Sequence, residues 1–134
     1  MGRYGAAGRR GVTPDVLLIA CPYCRAPVGG PCSVRVFGAP RPRGARRPHA
    51  ARVKLALVLA AHADPALDAH FPKLGPCGLC GVPGLNQRHR VIDAIAGMLE
   101  AGEDPDETAR EYGMSREAVD AVMTWSRRWP GAWL

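Results

Sequence analysis

The stretch CPYCRAPVGGPC, from Cys21 to Cys32, decides how the N-terminal half of this chain folds. It contains three cysteines, and the next histidine, His49, completes the spacing C-x2-C-x7-C-x16-H. Three thiolates and one imidazole make a full tetrahedral donor set for zinc, and a Cys-Pro-Tyr-Cys turn places two of the sulfurs side by side. We therefore predict a closed, structural zinc site with four ligands: Cys21, Cys24, Cys32 and His49.

The chain has little material for a hydrophobic core. Aromatic residues make up 6% of its 134 residues, whereas it has 16 glycines and 13 prolines. A domain this poor in bulky side chains needs reinforcement, and bound zinc contributes about 10–16 kcal/mol of apparent folding free energy. The apolar runs Val16–Ala20 and Leu55–Ala61 are too short for an export signal or a membrane span, so we expect a cytoplasmic protein. In that compartment, five cysteines favour metal ligation over disulfides.

Positive charge is concentrated in the N-terminal half. Residues 1–56 contain eleven Lys/Arg and one acidic residue, whereas residues 57–134 contain seven Lys/Arg and eleven acidic residues. A GC-rich genome would also raise the arginine content, but this asymmetry favours an anionic partner such as nucleic acid. We expect six of the cations to contact phosphates of double-stranded DNA: Arg41, Arg43, Arg46, Arg47, Arg52 and Lys54.

Local patterns predict a small α+β finger in the N-terminal half. Residues 16–20 are apolar and residues 33–37 alternate between polar and apolar, so each segment predicts a strand. The proline- and arginine-rich residues 38–47 predict a loop. Pro48 is well placed to begin a helix, and Asp64-Pro65 ends it.

The C-terminal part has the pattern of three helices. Apolar residues at helical spacing predict the first helix over residues 88–102. Asp104-Pro105 begins the second helix, and Gly113 ends it. Ser115 then caps a third helix that runs to Trp129.

Two helices joined by a tight glycine turn predict a helix-turn-helix. In that arrangement Arg116 would face DNA, although residues 86–129 carry six arginines against nine acidic residues. The alternative is a purely structural or dimerising helical pair. Trp133 lies beyond the last helix, where it is expected to be exposed and to contact a protein partner or a second subunit, or to pack on its own helices.

A second cysteine pair, Cys77 and Cys80, follows the finger. Together with His89 it gives C-x2-C-x8-H, which is one ligand short of a zinc site. His70 is expected to supply the fourth ligand, with His62 as the alternative. The two cysteines could instead join the first Cys-x2-Cys pair in a four-cysteine ribbon, but two local sites cost less loop closure.

The finger sequence resembles a known family. CPYCRAPVGGPC followed by PHAAR is similar to the small zinc-binding domains of actinobacterial and actinophage proteins, over residues 18–54. The resemblance implies the same four zinc ligands and DNA binding. One departure is Arg25, since the family usually has glycine after the second cysteine.

The C-terminal helices resemble another family. Residues 86–129, chiefly the segment AGEDPDETAREYGMS, are similar to a bacterial family of antitoxin-like helix-turn-helix proteins that is grouped with the VapB-type antitoxins. The cysteine pair replaces the glycine-rich strand segment that usually opens that family, which leaves the family's dimer arrangement open for this chain.

These patterns predict a mainly α protein with a small zinc-bound α+β finger, followed by a helix-turn-helix unit of three helices. The expected function is that of a zinc-stabilised, nucleoid-associated DNA-binding protein, a bacterial or phage transcriptional regulator. The alternative is an antitoxin-like or adaptor module that binds a protein partner. No catalytic constellation is apparent, so we expect neither an enzyme nor a small-molecule substrate. The predicted divisions are a basic arm, the finger, a linker with the second cysteine pair, and the helix-turn-helix domain: residues 1–14, 15–63, 64–85 and 86–134.

Overall fold

The computed structural model describes residues 16–34, 38, 40–41, 43–45 and 47–133 of the chain. The chain divides into two compact units, with the division between Val58 and Leu59. The predicted basic arm lies outside the described residues. No helix within the described part of the chain is long and apolar enough to cross a membrane.

The first unit is a small finger built around cysteines. Its two short strands, β1 (Ser33–Val34) and β2 (Arg43–Gly44), pair antiparallel with Ser33 opposite Gly44. The helix α1 (Ala50–His62) begins just after His49 and extends past the division into the second unit. The centre of the finger is a small buried cluster of Cys21, Ala26 and Cys32, against which Cys24 and Ala45 pack.

Two local features of the finger differ from the sequence predictions. Residues Val16–Leu18 form a 3-10 helix rather than a strand, and the Leu17 carbonyl accepts a hydrogen bond from the Gly29 N–H at 2.8 Å. The predicted loop over residues 38–47 contains β2, since Ala45 N donates to Cys32 O at 2.8 Å and extends the hairpin. The predicted strand over residues 33–37 is observed at residues 33–34, and its remainder lies outside the described residues.

The second unit is helical. It contains α2 (Arg88–Glu100), α3 (Pro105–Tyr112) and α4 (Arg116–Arg128), which pack against one another, and a short 3-10 helix (Pro65–Leu67) that contacts α4. Trp125 lies at the centre of this core, 1% exposed, and its indole N–H donates to the Ala61 carbonyl at 2.7 Å.

The predicted helix ends are confirmed at the turn between α3 and α4. Gly113 has the left-handed φ of 63° that glycine tolerates, and it ends α3. The Ser115 hydroxyl accepts a hydrogen bond from the Ala118 N–H and begins α4. The sequence predicted that α4 ends at Trp129. The helix ends one residue earlier, at Arg128, and Trp129 is buried. Trp133, expected to be exposed, is half-buried.

The segment predicted as a linker packs into the second unit. Leu67, Phe71 and Leu85 are buried there. The buried Arg88 side chain fixes this segment, because it donates to the Asp68 carboxylate at 2.7 Å and to the Phe71 carbonyl at 2.8 Å. The segment is therefore an ordered part of the helical unit.

Candidate metal centres and nucleic-acid surface

The four cysteine and histidine residues singled out in the finger come together. One donor atom from each of Cys21, Cys24, Cys32 and His49 lies within 4.8 Å of all the others. The Cys21 Sγ to His49 Nδ1 distance is 3.6 Å. Cys21 and Cys32 are buried, and Cys24 and His49 are half-buried. Four soft or borderline donors around one point fit a tetrahedral zinc ion and leave no coordination position for another ligand.

Backbone N–H groups of the finger stabilise its sulfurs as thiolates. The Cys24 N–H donates to Cys21 Sγ at 3.5 Å, and the His49 N–H donates to Cys32 Sγ at 3.4 Å. Hydrogen bonding from the Ser33 N–H lowers the pKa of the Cys24 thiol to about 6. Burial, in contrast, raises the pKa of Cys21. A bound zinc ion would offset that cost, because it supplies the positive charge that a buried thiolate needs.

Arg52 holds the finger together from inside. Its side chain is 0% exposed, and Nη1 donates to Cys32 Sγ at 3.4 Å. The guanidinium also donates to four backbone carbonyls, those of Val16, Ile19, Pro27 and Gly30, at distances between 2.7 and 3.3 Å. These bonds join the 3-10 helix, the cysteine loop and α1. The expectation that Arg52 contacts a phosphate is therefore corrected, because the side chain is enclosed and its donors are already used.

Arg25 has an unusual backbone conformation. Its φ is +62°, and it is the only non-glycine residue with a positive φ in the described ranges. Gly81 occupies the same position after the second cysteine pair, with φ +66°. Left-handed backbone costs a residue with a Cβ about 1–2 kcal/mol, whereas glycine adopts it freely. The departure from the family pattern at Arg25 therefore stores strain in the first Cys-x2-Cys turn.

Substitutions at Arg25 and Gly81 should have opposite effects on the affinity of the two sites for zinc. We expect Arg25→Gly to strengthen zinc binding by the first site about fivefold, which corresponds to relief of about 1 kcal/mol of strain. We expect Gly81→Ala to weaken the second site by a similar factor, since no atom lies within 4 Å of an added Cβ and only the backbone conformation opposes the change. Competition with a chromophoric chelator measures both affinities. Equal affinities in Arg25→Gly and the parent protein would contradict the strain.

Four of the six predicted cations lie at the surface of the finger. Arg41, Arg43, Arg47 and Lys54 are exposed, whereas Arg46 lies outside the described residues. Sequence reasoning missed Tyr23, which is 74% exposed and packs against the His49 ring with a centroid distance of 4.6 Å and a tilt of 55° between the ring planes. Together with Ser33, Val34 and the start of α1, Tyr23 and His49 line a groove of about 770 Å³. The groove therefore presents an exposed aromatic ring beside the metal-binding cluster.

The second cysteine pair meets His89. Donor atoms of Cys77, Cys80 and His89 lie within 4.8 Å of one another. A short hairpin positions the pair, since Cys77 N donates to Leu85 O at 3.2 Å and Val82 N donates to Cys80 Sγ at 3.4 Å. Hydrogen bonding from the Cys80 N–H lowers the pKa of Cys77 to about 6, so this sulfur too is suited to bind a metal as a thiolate.

The expected fourth ligand of this cluster, His70, is exposed and does not join it. Two other residues lie beside His89: donor atoms of His62, His89 and Asp93 are within 4.8 Å of one another. His62 was the sequence alternative, but Asp93 was missed. Its position four residues after His89 on α2 is the only sequence signal that could have pointed to it. Within its own unit each cysteine pair has local partner ligands, His89 for the second pair and Cys32 with His49 for the first, which is the layout of two local sites.

Arg116, expected to face DNA, is engaged by two carboxylates of its own unit. Its guanidinium donates to Asp106 at 2.8 Å and to Asp120 at 2.9 Å. These partners raise the pKa of Arg116 above its ordinary value and neutralise its charge locally. The start of α4 therefore presents less positive charge than the sequence alone indicates.

The geometry of the first unit defines a class of protein, the small zinc fingers in which metal replaces a hydrophobic core. Residues 3–71, just over half of the chain, match a family described as "Putative DNA-binding phage zinc finger domain", and the chain belongs to that family. The family and the two clusters support zinc as the cofactor, in one or two sites, and a zinc-dependent DNA-binding role. No curated protein and no solved structure matches the chain. The likeness of residues 86–129 to antitoxin-like proteins stays a prediction.

Proposed function

We propose that this protein is a DNA-binding transcriptional regulator of a phage or its bacterial host, acting in the cytoplasm on the nucleoid. The observation that supports it most is the finger itself. Four zinc donors converge at one point, and the chain between the third and fourth donor carries the exposed Arg41, Arg43 and Arg47. Zinc binding would thus fix the strand pair and the loop that present cations to the phosphate backbone.

The helical unit is proposed to add specificity or dimerisation. The helices α3 and α4, joined at Gly113, have the order and tight turn of a helix-turn-helix. The finger is the better candidate for the affinity for DNA, because residues 1–56 contain a single acidic residue beside their eleven Lys/Arg. In residues 57–134, acidic residues outnumber Lys/Arg. The helical unit would act once the finger has bound DNA.

A second candidate function rests on the ion pairs of Arg116. Because Asp106 and Asp120 hold this side chain, the proposed recognition helix has little free positive charge at its start. This observation favours a protein-binding role for the helical unit, as in an antitoxin-like or adaptor module. In that case a protein partner, and not DNA, would protect α3 and α4 from hydrogen exchange.

Removing two finger arginines should reduce the salt dependence of DNA binding. With about five phosphate contacts, log affinity should fall against log salt with a slope of roughly −4.5. The variant Arg43→Ala/Arg47→Ala removes two of these contacts, so we expect its slope to be less steep by about 1.8. Fluorescence anisotropy of a labelled duplex at several salt concentrations measures the slope.

The charge-matched control is Arg110→Ala/Arg127→Ala, which removes two exposed arginines of the helical unit. We expect this control to keep the parent slope. A control variant that lost the salt dependence while the finger variant kept it would place the phosphate contacts on the helices and contradict the proposal.

A further inference from the structure

The geometry points to a second metal centre with an exchangeable ligand: Cys77, Cys80 and His89 bind the ion, and its fourth coordination position is open to a small anion beside Arg90. This centre lies outside the matched family region, which ends at residue 71. The inference is independent of DNA binding by the finger.

His89 is oriented as a metal ligand. Its Nδ1 lies 3.3 Å from the Asp93 carboxylate, which leaves Nε2 as the nitrogen for a metal. That Nε2 atom is buried and has no hydrogen-bond partner. A buried ring nitrogen without a partner is costly, and a metal ion would remove that cost. A carboxylate that holds the far nitrogen of the ring is the usual support of a histidine ligand.

The residues around His89 do not close the site. Asp93 is engaged on both sides, because its second oxygen lies 2.9 Å from His62 Nε2. His62 groups with His89 and Asp93 but not with the two cysteines. Within residues 59–133, therefore, the structure brings three donors close enough together to bind one ion, whereas His62 and Asp93 form a separate group with His89.

A cavity adjoins Cys80 and His89. It measures about 240 Å³ and is lined by Cys80, His89, Arg90 and Asp93. Three protein ligands with one open position are the arrangement of zinc sites that exchange a ligand, whereas structural sites are closed by four. The open position thus faces a space large enough for water or a small ion.

Charge selects the ligand. A divalent ion bound by two thiolates and one neutral imidazole has no net charge, so an added monoanion leaves the centre negative. The Asp93 carboxylate also lines the cavity, but its two oxygens face His89 and His62. The exposed guanidinium of Arg90 is therefore the group of the cavity wall that would compensate the added charge. The expected ligand class is therefore a small monoanion, such as a carboxylate.

Cobalt substitution tests the inference on the full chain. Cobalt(II) reports its own coordination in visible absorption, and subtracting the spectrum of Cys77→Ser/Cys80→Ser isolates the second centre. We expect thiocyanate to change this difference spectrum saturably, and Arg90→Ala to weaken thiocyanate about fivefold. The finger site is closed by four ligands, so its bands should not respond. A second-centre spectrum that ignores thiocyanate would mean a closed site and overturn the inference.

Two single variants keep the test decisive if the cysteine variant does not fold. His70→Ala should retain both cobalt ions and the thiocyanate response, and loss of the second ion in this variant would make His70 the fourth ligand. Asp93→Asn keeps the size of the side chain and should weaken the second metal by about 10–100-fold. Unchanged affinity in Asp93→Asn, or a parent protein that binds a single cobalt ion, would refute the centre as described.

Discussion

Replacing Cys32 with serine is expected to release the zinc of the finger and unfold the first unit. Cys32 is 3% exposed and receives hydrogen bonds from the His49 N–H and from Arg52. The finger has few bulky apolar side chains to replace the metal, and zinc supplies about 10–16 kcal/mol of apparent free energy to such folds. The free energy lost with this ion should therefore be larger than the free energy of unfolding that a unit of this size has without it.

Native mass spectrometry measures the zinc content of the variant, and tryptophan fluorescence shows whether the second unit keeps its structure. The variant should carry one zinc fewer than the parent protein. All three tryptophans, Trp125, Trp129 and Trp133, lie in the second unit, so their emission should change little and serve as an internal control. A Cys32→Ser protein that kept its full zinc content would show that the metal does not hold the finger.

Replacing Arg52 with alanine is expected to destabilise the finger by about 3–5 kcal/mol. The change removes the enclosed donor of four backbone carbonyls, those of Val16, Ile19, Pro27 and Gly30, and it opens a cavity where the guanidinium lay. Arg52→Lys should recover only part of the loss, because an ammonium group cannot reproduce the planar fork of five N–H donors.

Urea unfolding of the zinc-loaded protein, followed by zinc release to a chromophoric chelator, measures these differences. Arg47→Ala is the matched control, since Arg47 belongs to the same unit but is exposed. We expect this control to retain the parent stability while it weakens DNA binding. Similar losses of stability in Arg47→Ala and Arg52→Ala would contradict the buried role of Arg52.

The features that local sequence could predict are those with a local physical cause. The spacing of the finger cysteines predicted their convergence, because a Cys-x2-Cys turn can hardly place its sulfurs apart. Gly113 and Ser115 predicted the turn between α3 and α4, because a left-handed residue and a capping hydroxyl act on their immediate neighbours. The mainly helical fold with a two-stranded sheet follows from the same signals.

The features that local sequence missed depend on residues far apart in the chain. Arg52 looks like its basic neighbours in the sequence, and only the folded positions of carbonyls 22 to 36 residues earlier show that it is buried. The second cluster gives the same lesson. His70 is nearer than His62 to the cysteine pair in sequence, yet the fold brings His62 and Asp93 beside His89 and leaves His70 in solvent.

The zinc dependence of DNA binding tests the central claim most directly. A labelled DNA duplex is titrated with the zinc-loaded protein, with the same preparation after a chelator has removed the metal, and again after zinc is restored. We expect binding to be lost with the metal and to return with it, because zinc held by Cys21, Cys24, Cys32 and His49 would fix the loop that carries the arginines. Equal affinity of the zinc-loaded and zinc-free protein for the duplex would contradict the claim.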